Sequence, residues 1–123
     1  MPYSYAIEGR IVLVAWFGVV GPEDLVAFGR EMPELGRDLG FAPNVLHTFD
    51  GVTGVGFEPA VIYEYSQIQR QTPVPNPIRV ALVAKTKANE YLAAVFKTFN
   101  HTPNLELEVF AGEAAARRWL ARD

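Results

Sequence analysis

Ile11-Val12-Leu13-Val14-Ala15-Trp16-Phe17, followed shortly by Gly21-Pro22-Glu23-Asp24, is the stretch on which the reading of the fold turns. The first run is rich in β-branched residues and continuously apolar, which predicts a strand buried on both faces. The second has a proline near the first helical position and two acids in the first turn, where they complement the helix dipole, so a helix opens there. Upstream, Tyr3 to Glu8 alternates large apolar with small or polar residues, and Gly9 supplies a turn. An opening β-hairpin is therefore expected.

Working outward, Leu25, Phe28, Met32, Leu35 and Leu39 follow the spacing of an amphipathic helix, interrupted by Gly29, Pro33 and Gly36. Pro33 removes a backbone donor, so this first helix is expected to be bent or in two pieces. Val45 to Asp50 predicts a second buried strand, ending in the glycine-rich loop Gly51-Val52-Thr53-Gly54-Val55-Gly56. Glu58-Pro59 then opens a second helix, with Val61, Tyr65 and Ile68 on one face and Ile62 and Tyr63 beside them. Thr72-Pro73-Val74-Pro75-Asn76-Pro77 can continue neither a helix nor a central strand and reads as a stiff connector. Beyond it come a strand over Ile78 to Ala84, a helix over Asn89 to Asn100, a strand over Leu105 to Phe110 and an alanine-rich helix over Gly112 to Arg122. The expected architecture is a single α/β domain over residues 1–123, in the order β-β-α-β-α-β-α-β-α. Its five-stranded sheet is mixed, mainly parallel, and covered by four helices.

Composition narrows the chemistry. The 123 residues are half hydrophobic, enough for one core, and carry a formal charge of -3 from 14 acidic and 11 basic side chains. That balance offers no positive field for a phosphate backbone, and nucleic acid is not expected as a partner. The absence of cysteine removes disulfides, thiolate metal sites and thiol nucleophiles together, and it fits a reducing compartment. No apolar run reaches the roughly 20 residues of a spanning helix. Glu8 and Arg10 stand where a secretory signal would continue, so the protein is expected in the cytoplasm.

The order and spacing of these elements resemble the SpoIIAA-like branch of the STAS fold, the fold of anti-sigma-factor antagonists. The resemblance spans nearly the whole chain. Ile11-Val12-Leu13-Val14 leads to a glycine before the first helix, and the strand ending at Asp50 stands where the family places an aspartate. Arg79-Val80-Ala81-Leu82-Val83-Ala84 resembles the family's fourth strand. Val109-Phe110 with Ala116-Arg117-Arg118-Trp119-Leu120 resembles its closing strand and helix. The family's antagonists carry a phosphorylatable serine in an Asp-Ser-Ser-Gly motif after the third strand. Here that region reads Gly56-Phe57-Glu58-Pro59-Ala60, with no hydroxyl, and Thr53 is the nearest candidate. The kinase-driven switch is therefore not carried over. Glu58 placed before Pro59 is an ordinary helix opening, although its permanent charge is also that of a phosphorylated state.

The remaining motifs are read against their ordinary structural roles. Glycines ahead of a helix N-terminus can form an anion-binding nest, but Gly51-x-x-Gly54-x-Gly56 matches neither the dinucleotide fingerprint nor a P-loop, and a tight turn explains it as well. His47 and His101 are the two imidazoles, with no ligand spacing between them, so no metal is expected. No nucleophile stands beside a base, so neither a catalytic residue nor a cofactor is expected. Tyr63, Tyr65, Tyr91, Phe57, Phe96 and Phe99 are chiefly core material. Arg70, Arg79, Lys85 and Lys87 are scattered cations that fit solvated surface and also fit peripheral contact with anionic headgroups.

What is left is a non-catalytic regulatory or interaction domain. Its binding surface is expected at Asp50, Gly51, Thr53, Gly54, Gly56, Phe57 and Glu58, with Ile62 and Tyr63 of the second helix, and it faces an unidentified protein. The alternative is a carrier or sensor of a small amphipathic, lipid-like ligand held between the second helix and the sheet. A homodimer through an exposed helix or sheet edge is compatible with both.

Overall fold

The computed structural model describes residues 3–55, 76–87, 89–90, 93 and 104–121. Five strands form one sheet in the order β1-β2-β3-β4-β5: β1 (Tyr3–Glu8), β2 (Ile11–Val20), β3 (Asn44–Val55), β4 (Ile78–Val83) and β5 (Leu105–Phe110). β1 runs antiparallel to β2 across the Gly9-Arg10 turn, and the other three pairings are parallel. The mixed, mainly parallel sheet and its opening hairpin follow the expectation from sequence.

The helices do not. Two helices, α1 (Pro22–Leu39) and α2 (Glu113–Leu120), are present among the described residues, not four, and the element order there is β-β-α-β-β-β-α. The helix expected from Glu58 onward lies outside the described residues, as do Tyr63, Tyr65, Tyr91, Phe57, Phe96 and Phe99. Of the one expected from Asn89, only Asn89, Glu90 and Ala93 are described, with helical backbone.

α1 is one continuous 18-residue helix rather than two pieces. The Asp24 carboxylate accepts the Gly21 N–H at 2.7 Å, and Pro22 sits where no intrahelical donor is needed. Gly40 ends the helix in the left-handed region, donating its N–H to Arg37 at 3.3 Å. Pro33 forfeits one backbone bond, but Met32 and Leu35 around it pack on the core, and that burial holds the helix through the proline.

The sheet carries two unequal hydrophobic layers. On the α1 side, Val12, Val14 and Trp16 of β2 join Val45 and Phe49 of β3 beneath Phe28. On the other side, Leu46, Ala81 and Val83 pack against Ala116 and Leu120 of α2. α2 is short and, among the described elements, packs chiefly on β3, β4 and β5. Next to it lies an open depression lined by Ser4, Ala6, Leu13, Ala15, Thr48 and Glu113. β2 is therefore not buried on both faces along its length: Ala15, Phe17 and Val19 are exposed. A helix of eight residues is too short to cover the whole sheet face.

Polar clips hold the other end of the sheet. Asn44 accepts the Arg79 N–H at 2.8 Å and donates to the Leu120 carbonyl at 3.5 Å. Asn76 pairs both backbone groups of Ala42, at 2.8 and 2.9 Å. Each side-chain amide there stands in for a missing strand neighbour.

Candidate binding surface

β3 runs on to Val55, so Gly51 to Val55 is strand and not a strand-to-helix loop. Its partner throughout is β2. Ala15 lies opposite Thr48 and Phe17 opposite Gly51, then Gly18 opposite Val52 and Val19 opposite Gly54. At each of these steps β3 advances one residue more than β2, which marks two bulges in succession. β4 pairs with β3 only from Val45 to Thr48. From Asp50 onward β3 pairs with β2 alone among the described residues, and this two-stranded stretch is the ribbon.

The glycines serve this ribbon by size. A Cβ on Gly51 would stand 2.8 Å from the Phe17 Cβ and 3.2 Å from the Trp16 carbonyl oxygen, so the first bulge closes only over glycine. Neither Gly51 nor Gly54 has a positive φ, which corrects the expected tight turn. The positive φ belongs to Gly18 across from them, at 68°. A nest of freed amides needs alternating backbone hand and is not formed by residues 51–55, which are extended strand.

Of the expected site residues, Asp50, Gly51, Thr53 and Gly54 are together on this ribbon. Gly56, Phe57, Glu58, Ile62 and Tyr63 lie outside the described residues. Asp50 and Thr53 are exposed. The Asp50 carboxylate accepts from Lys85 Nζ at 3.3 Å, an exposed pair that ties the end of β4 to the ribbon and contributes little stability. Arg79, expected as a loose surface cation, donates to the Trp119 carbonyl at 2.9 Å and pairs with Glu106 at 3.5 Å.

Reading from sequence missed Phe17 and Val19. They are 44% and 63% exposed, on the β2 half of the same ribbon. The signal available was Gly18 between them, which interrupts the apolar run. The expectation of a strand buried on both faces over Ile11 to Phe17 gives that signal no weight.

His47 sits at the base of the ribbon on the α1 side, buried among aromatic rings. Trp16 Nε1–H donates to His47 Nδ1 at 3.0 Å, and the Phe28 ring centroid stands 5.2 Å away. Tyr3 closes the cluster, 5.0 Å from Trp16, with its hydroxyl donating to Glu31. Burial lowers the His47 pKa from 6.5 to about 4, so the ring is neutral at physiological pH and its Nδ1 lone pair is taken by Trp16. That is a structural imidazole. Asn89 completes this corner, donating to the Phe49 carbonyl at 3.0 Å. Among the described residues no group of three or more His, Cys, Asp or Glu side chains is placed to hold a metal. No described helix is long and apolar enough to cross a membrane.

No protein-family model matches the chain, and no curated protein matches it. A solved structure does. It is an uncharacterized protein of the DUF3478 family from Shewanella loihica PV-4, with a SpoIIAA-like fold. The match covers 97% of this chain and 92% of that one, with a TM-score of 0.59 and 17% sequence identity. Similarity of backbone at such identity carries the fold and no activity. The five-stranded mixed sheet, its opening antiparallel hairpin and its closing helix constitute a SpoIIAA-like fold.

Proposed function

We propose that this protein is a non-catalytic interaction domain of STAS type that docks a protein partner on the β2–β3 ribbon and the segment following it. The observation that carries the reading is the presence of two exposed apolar side chains, Phe17 and Val19, with the exposed polar groups of Asp50 and Thr53 on one two-stranded ribbon. Apolar anchors rimmed by polar groups are the usual anatomy of a protein-binding patch. The Gly56 to Ala60 region has no hydroxyl, so recognition is not gated by phosphorylation there. A partner and the protein meet in the cytoplasm on this reading, and neither cofactor nor metal takes part.

The test compares affinity capture from cell extract on immobilised wild-type protein with capture on Phe17→Asp/Val19→Asp. Loss of a specific band in the variant supports the reading. Equal capture, or none by either protein, overturns it. Native mass spectrometry of the same wild-type preparation separates the carrier reading, since a bound amphipathic molecule adds mass that vanishes on denaturation.

A further inference from the structure

We infer that the α1 side of the sheet, at His47 and Asn89, binds a small uncharged molecule that carries a hydroxyl group on an apolar body. His47 and Asn89 are polar side chains in the core, 8% and 7% exposed. Each has a polar atom that the protein does not engage. The neutral His47 ring accepts the Trp16 N–H through Nδ1, so its own proton is on Nε2. Asn89 gives an Nδ2 hydrogen to the Phe49 carbonyl, which leaves Oδ1 as an acceptor. Among the described residues none accepts from His47 Nε2 and none donates to Asn89 Oδ1. Roughly nine in ten buried polar groups are hydrogen-bonded, so an unmatched donor and an unmatched acceptor in one corner call for a partner from outside the chain.

Phe49 joins the two. Its ring lies parallel to the imidazole with centroids 6.3 Å apart, and its carbonyl takes Asn89 at 3.0 Å. Leu82 stands opposite His47 in the register of β3 and β4. Ala93, one helical turn after Asn89, packs in the same core as Phe49 and Leu82.

The two atoms set the class of molecule. One donor and one acceptor suit a group that accepts and donates at once, and a hydroxyl is the smallest that does so. Trp16, Phe28 and Phe49 around the imidazole are apolar walls that suit a hydrocarbon body. A charged ligand has no counter-ion in the described part of this cluster, because Glu31 is engaged by the Tyr3 hydroxyl. The corner lies on the face of the sheet opposite Phe17 and Val19, so the inference stands apart from the docking surface.

Nitrogen NMR of the His47 imidazole and the Asn89 side-chain amide reads the site directly, with phenol, anisole and toluene as probes. Phenol donates and accepts, anisole only accepts, and toluene does neither. Phenol should shift both signals saturably and bind roughly tenfold or more tightly than toluene, with anisole between them. His47→Phe keeps a ring and removes the donor, and should bring anisole down to toluene at the Asn89 signal. The probe series decides the matter alone if that variant does not fold. Phe17→Asp/Val19→Asp should leave the phenol response unchanged. Equal affinity for phenol and toluene, or a phenol response lost in the Phe17→Asp/Val19→Asp variant, overturns the inference. So does the absence of any shift, the outcome expected if Nε2–H rests on the Phe28 ring, 5.2 Å away, or on a bound water alone.

Discussion

The lower and upper halves of the β2–β3 pair are built from the same two strands but differ on the face away from α1. From Ile11 to Ala15 against Asn44 to Thr48 the register is regular, β4 flanks the pair, and Val12, Val14 and Leu46 are sealed. From Phe17 to Val20 against Gly51 to Val55 two bulges intervene and β4 has ended, leaving Phe17 and Val19 in solvent. Both halves are apolar in sequence. What separates them is whether a third strand and a covering helix reach that far, so hydrophobicity alone did not decide burial.

The contrast can be broken by substitution, the largest effect coming from the lower half. Leu46→Ala removes a side chain that is sealed against α2. It should cost about 3 kcal/mol, read from the midpoint of urea unfolding. His47, at the junction, comes next and acts through pH. Its folded-state pKa of about 4 lies below the ordinary 6.5. The stability it contributes is therefore present in full above pH 6.5 and lost as pH falls toward 4, on the order of 3 kcal/mol in all. His47→Gln keeps an acceptor for the Trp16 N–H and does not titrate. Stability curves of the two proteins between pH 7 and 4 should diverge, the wild type falling more steeply. An unchanged slope would mean that the imidazole is not held neutral.

Smaller effects sharpen the comparison in the upper half. Gly51→Ala forces a Cβ into Phe17 and the Trp16 carbonyl at the bulge, and should cost about 1–3 kcal/mol by thermal unfolding. Gly54→Ala, whose Cβ would meet Val19 at an ordinary 3.6 Å, should cost less, and equal losses would refute the close-approach account. Phe17→Ser and Asp50→Asn should each change stability by about 0.5 kcal/mol or less, since one side chain is half exposed and the other belongs to an exposed ion pair. A large loss from Phe17→Ser would place that ring in the core and not on a binding surface.

Much of the sheet was legible because strands announce themselves by composition and alternation. β1 and β5 have the bounds read from sequence, and the glycine turn at Gly9 places β1 antiparallel to β2. The candidate site was legible only in part. Asp50, Gly51, Thr53 and Gly54 were found as a cluster, but as a loop. Glycines in a row mark a turn or a close approach with equal force, and only the distance to Phe17 distinguishes them. Phe17 and Val19 were hidden by their own apolar character. His47 carried no local sign of its role, since its partners Trp16 and Phe28 lie 31 and 19 residues away in the chain.

By itself the sequence determined the strand-forming segments, the entry into α1 at Gly21-Pro22 and the absence of cysteine chemistry, because each of these is a property of neighbouring residues or of composition. Tertiary structure decided the rest. It carried α1 through Pro33, extended β3 past its glycines and left Phe17 and Val19 exposed on one face of β2 while burying Trp16 and Val20 on the other. Those outcomes depend on which distant surface arrives to be packed against, and burial is settled between segments rather than within them.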